Sequence, residues 1–208
     1  NATKVFASPV FQCCFLAQGV CYSILLVFNI VGPFMIQDTL HKPPTFFGYL
    51  ALGIGLVYFL GGLSNRLHGP GLPTPEQRLR VGSLVMAAAS IVMLVIAAIF
   101  GLQVWTLSIP VLVMGFSAGA MYPTLMAKGN SLFPNIAGLT AAILGFALLL
   151  VSSLVMALAG FVSVKMLMPL AAFFVVLALI VVATVTKLLR YLGEAEEARD
   201  VRQSGKAI

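Results

Sequence analysis

Acid is scarce in this chain. Only 6 Asp and Glu residues occur among 208, and charged residues of both signs make up 9%. An average soluble domain is about a quarter charged, so this sequence cannot cover a water-facing surface of ordinary extent. The acids are Asp38, Glu76, Glu194, Glu196, Glu197 and Asp200, and none stands in the middle of a long apolar run. Histidine is limited to His41 and His68, far apart and without ligand spacing. No apolar run therefore holds a His, Asp, Glu and Ser constellation able to make a nucleophile or a metal site. Cys13, Cys14 and Cys21 fall in one apolar stretch and read as small buried side chains, not as a disulfide framework or ligand set. No enzyme activity, metal or cofactor is expected. A channel is disfavoured as well, because neither rings of charge nor a filter-like segment is present.

What fills the chain instead is apolar: 61% hydrophobic residues and a mean hydropathy of +1.07. A bilayer core needs about 20 apolar residues per helix. The charge-poor intervals hold six such spans, near residues 9–37, 45–64, 79–100, 104–127, 135–160 and 165–187. Nothing alternates with the period of a membrane β-barrel. The reading is an all-α membrane protein, with a six-helix domain over residues 1–190 and a charged tail over 191–208. In that tail Glu196 and Arg199 have the spacing of a helical ion pair, as expected of a solvated surface helix. The chain opens on Asn1 and not on Met, as expected for a portion of something longer.

The net charge of +6 is distributed as membrane topology, not as a nucleic-acid patch. With six spans, both ends share a side with the loops after spans two and four. That side carries Lys4, Arg66, Arg78, Arg80, Lys128, Lys187, Arg190, Arg199, Arg202 and Lys206, and the other only Lys42 and Lys165. Basic residues stay cytoplasmic, which places both termini inside. Single cysteines tested with an impermeant thiol reagent check this: one introduced at residue 42 should label in intact cells, and one at residue 73 only after permeabilisation. The reverse pattern would overturn the six-span topology.

Polar side chains at membrane depth must face protein or a water-filled cavity. On the first span Gln18, Tyr22 and Asn29 lie within about 40° of one another at 100° per residue, a polar stripe that either lines a cavity or bonds to a neighbouring helix. Gly32-Pro33 interrupts the backbone ladder further along, where a kink is expected. The second span aligns Gly48, Ala51, Gly55, Tyr58 and Gly62. The fourth has Gly115-Phe-Ser-Ala-Gly119, and the fifth aligns Gly138, Ala141, Ala142, Gly145 and Ser152. Small residues at such spacing let backbones approach. Spans three and six have no such face. Spans one, two, four and five are thus expected inside, and three and six outside, the pattern of two inverted three-helix units.

Three passages carry a resemblance. Gly61-Gly-Leu-Ser-Asn-Arg-Leu-His-Gly69 is similar to the cytoplasmic loop motif G-x-L-a-D-R-x-G-R of the major facilitator superfamily, with Asn65 at the acidic position and His68 displacing the second Gly. The stretch Asn29-Ile-Val-Gly-Pro-Phe-Met resembles the first helix of that superfamily's C-terminal half. Residues from Met121 to Gly145, with Ala137, Gly138, Ala142 and Gly145, resemble the passage joining helices ten and eleven in Bcr/CflA-type drug–proton antiporters. The resemblance spans nearly the whole chain to about Arg190.

It implies one six-helix half of a secondary transporter in a bacterial inner membrane, of efflux type. The substrate would lie against Gln18, Tyr22, Asn29 and Tyr58, together with Met114, Ser117 and Met121. It further implies an N-terminal half, or a second copy, as partner, and a proton-coupling acid housed in that partner. Gly61, Gly62, Asn65 and Arg66 would form the gating motif. Asn65→Asp would restore its acid and tighten the latch. A six-helix scaffold subunit that transports nothing is the alternative.

Overall fold

A computed structural model describes residues 6–66, 73–161 and 166–204, with side chains through residue 194. Among them there is no strand, and six helices are long and apolar enough to cross a membrane. They are α1 (Pro9–Phe34), α2 (Pro44–Ser64), α3 (Pro75–Phe100), α4 (Val104–Ser131), α5 (Ala137–Ala159) and α6 (Leu167–Ser204). The chain is an all-α membrane protein by these criteria.

Local chemistry sets the helix starts. Ser8 caps α1 by accepting from the Phe11 N–H, and Pro9 occupies the first turn, where its missing N–H costs nothing. Thr74 and Gln77 form a capping box at α3. This pulls Glu76 and Arg78 into the helix, which begins four residues earlier than the span expected from residue 79. Gly101 ends α3 with φ +67°, a conformation that suits a residue without Cβ. The expected disturbance at Gly32-Pro33 takes the form of a π-helical turn, Met35–Thr39, just past the proline. α6 runs without interruption past Lys187 to Ser204, so the backbone of the charged tail continues the last span.

The core forms around α1 and α4. α1 packs on α4, α5 and α6, while α4 packs on α1, α2 and α3, and α3 packs on α6. Burial follows: 67% of the most apolar window of α1 is covered and 56% of that of α4, against 39% for α3 and α6, 28% for α5 and 11% for α2. This reverses part of the expected order, since α2 and α5 are the barest helices and α3 and α6 are better covered. Lipid accepts apolar side chains as readily as a protein interior does, so lack of polarity in α3 and α6 did not mean lack of neighbours.

The closest approach is between α2 and α4. A Cβ on Gly119 would stand 2.0 Å from the Tyr58 carbonyl oxygen, and one on Gly61 would stand 2.2 Å from that of Phe116. The two backbones touch there without side chains between them. The Gly115–Gly119 pattern is therefore a packing face, as expected. On α2, however, Gly61 makes the contact, while Gly48 and Gly55 meet nothing within 4 Å. Gly138 and Gly145 on α5 are equally open. Where α1 crosses α5, Gly19 faces Val151 and the Ser23 hydroxyl donates to that of Ser152 at 3.3 Å. Cys13, Cys14 and Cys21 are free and buried.

Candidate functional site

Tyr22 and Asn29 on α1 and Tyr58 on α2 border a cavity of about 210 Å³ whose walls also include Leu25, Ile54 and Gly55. Asn29 turns its amide back to donate to the Leu25 carbonyl at 2.8 Å. The hydroxyls of Tyr22 and Tyr58 have no hydrogen-bond partner among the described residues. The Tyr58 ring lies 6.4 Å from that of Tyr122 on α4. No charged side chain lines the cavity, so it is an apolar recess with three polar handles, the ordinary make-up of a small-molecule site.

The other expected substrate contacts lie elsewhere. Gln18 is 1% exposed; its amide donates weakly to the Met126 sulfur at 3.9 Å, and its oxygen has no partner among the described residues. It sits further toward the start of α1, where α4 covers the same helix face that is open at Tyr22. Met114, Ser117 and Met121 are buried. Met121 packs under Gly82 of α3, and Ser117 donates to its own helix at the Val113 carbonyl. Met114 is buried in the core, and none of the three lines the cavity.

The loop motif divides its duties. Gly61 permits the α2–α4 crossing, and Gly62 lies beside Gly119. Asn65 ends α2 by donating to the Ala120 carbonyl at 2.8 Å and accepting from the Thr124 hydroxyl at 3.0 Å. Arg78 binds the last turn of α2 by donating to the Ser64 carbonyl at 2.5 Å, and Lys128 on α4 forms an ion pair with Glu76 on α3. Three helix ends are thus tied together. Arg66 is exposed and, with Tyr58 and Tyr122, lines a cleft of about 500 Å³. Leu67, His68 and Gly69 lie outside the described residues.

Asn65 is therefore an internal tie, and this changes what Asn65→Asp should do. An aspartate loses the donor to Ala120 and turns a carboxylate oxygen toward a carbonyl. Losing the donor of this part-buried hydrogen bond costs about 1 kcal/mol, so the variant should melt earlier in detergent. An unchanged midpoint would show that the Ala120 bond contributes nothing. The tie to Thr124 escaped the sequence reading because its partners are 55 and 59 positions away. Comparison with protein-family models, with curated proteins and with solved structures finds no match to this chain.

Proposed function

We propose that this chain is one half of a secondary active transporter of the major facilitator type, with its substrate site in the recess of Tyr22, Asn29 and Tyr58. The observation that carries the proposal is the pattern of helix neighbours. Exchanging α1, α2 and α3 for α4, α5 and α6 turns α1–α5 into α4–α2 and α1–α6 into α4–α3, and it returns α1–α4 and α3–α6 to themselves. Two three-helix units related in this way have opposite orientations in a bilayer, because three spans is an odd number, and such inverted repeats are a recurring transporter architecture. The recess then sits on the face left uncovered beside α2, where a second six-helix body would close it. The coupling acid belongs to that body, since no described acid lies in the interior of a span.

Transport in proteoliposomes tests the proposal: the chain, paired with its complementary half, should move an amphipathic fluorescent compound in response to an imposed pH gradient. A lack of gradient-dependent flux across a chemically varied panel favours the scaffold alternative. Within the transporter reading, Arg66 pairs with the partner body and biases the equilibrium between open states. Arg66→Gln should shift the distance distribution between the two bodies' basic ends, measured by spin labels, and slow turnover several-fold. If neither changes, Arg66 serves only as a topology anchor.

A further inference from the structure

The basic end of the bundle holds a cleft distinct from the substrate recess. It measures about 410 Å³, and its walls include Asn65 of α2, Pro75 and Arg78 of α3, and Pro123, Ala127 and Lys128 of α4. The geometry points to a binding site for the phosphate headgroup of an anionic phospholipid, with Arg78 and Lys128 as its cationic contacts. Basic pockets between helices at a membrane edge are suited to such headgroups.

Four features favour that ligand. The guanidinium is held in place by donating to the carbonyls of Pro73 and Ser64, which spares the ordering of a long side chain on binding. Lys128 donates to Glu76, and an ammonium has three donors, so it can keep the ion pair and still contact a phosphate. The prolines and alanine make a firm, uncharged wall. Arg78, Val81 and Val85 lie along one face of α3 at helical spacing, and both valines are exposed. A headgroup on Arg78 would lay its acyl chains along that stripe. The cleft lies at the end of membrane-length helices, where a bound headgroup leaves its acyl chains in the bilayer, and this favours a lipid over a soluble phosphate compound.

The test uses the purified full chain in nanodiscs of phosphatidylcholine with increasing phosphatidylglycerol. Thermal midpoints and native mass spectra should report one retained phosphatidylglycerol per chain. Near a membrane surface each basic residue is worth roughly a five-fold change in lipid affinity. Arg78→Gln and Lys128→Gln should each weaken retention by about that factor, while Arg190→Gln, at an exposed position on α6, should leave it unchanged. Ala127→Leu fills the cleft, keeps both charges and retains a good helix former; it should abolish selective retention without unfolding the protein. Selective retention that survives Ala127→Leu, or that falls equally with Arg190→Gln, overturns the site. Equal stabilisation by inorganic phosphate or soluble glycerol phosphate overturns the lipid assignment.

Discussion

Gly119→Ala is expected to force α2 away from α4 and to lower the stability of the bundle by about 2 kcal/mol or more. The new methyl would lie 2.0 Å from the Tyr58 carbonyl oxygen. Backbone cannot move aside as a side-chain tip can, so the whole helix must shift. Alanine's better helix propensity, about 0.5–1 kcal/mol over glycine, offsets only part of this. Gly61→Ala meets the Phe116 carbonyl from the opposite helix and should behave alike. Gly55→Ala and Gly145→Ala are the controls, because a Cβ at either position touches nothing within 4 Å. Both should be neutral or slightly stabilising. Unfolding midpoints in mixed micelles read the difference, and equal midpoints for Gly119→Ala and Gly55→Ala would refute the close crossing.

The second large effect concerns Asn29. Under the transporter reading, Asn29→Leu should reduce transport by roughly 10- to 100-fold, because leaving a ligand group without its hydrogen bond in a closed site costs about 1–3 kcal/mol. The fold should survive: leucine is a better helix former than asparagine, and the amide's only described bond is to Leu25 of its own helix. The informative readouts are the initial transport rate and the unfolding midpoint of the same preparation. A normal rate with a normal midpoint would return Asn29 to a packing role. Tyr58→Phe, which removes one unpartnered hydroxyl while keeping the ring against Tyr122, should cost less.

Part of the candidate site could be read from spacing. Tyr22 and Asn29 share a helix face by the 3.6-residue period, and that face borders the recess. Gln18 has the same spacing and a different fate: it is buried against Met126 of α4, while Tyr22 borders the recess. Periodicity gives the angle of a side chain around its own helix and contains nothing about where a neighbour begins or ends. The same limit explains Met114, Ser117 and Met121: all three are buried, and Met121 packs under Gly82 of α3 instead of lining the recess. The corner at Asn65 was recognised as a motif, and its bonds to Ala120 and Thr124 were not, since they join segments that only folding brings together.

The sequence alone determined the six spans, their approximate ends, the all-α class and the bias of basic residues to one side. Each of these follows from transfer of single segments between water and lipid, an energy that depends on local composition. The tertiary structure decided which helices are central, which glycines carry a crossing, and which polar residues meet in a cavity. In a bilayer those choices are made by backbone proximity and pairwise fit, because lipid offers an apolar side chain the same environment as another helix does. Gly48 and Gly61 look equivalent in the sequence. Only the position of α4 makes one an open surface and the other the contact that holds α2 in place.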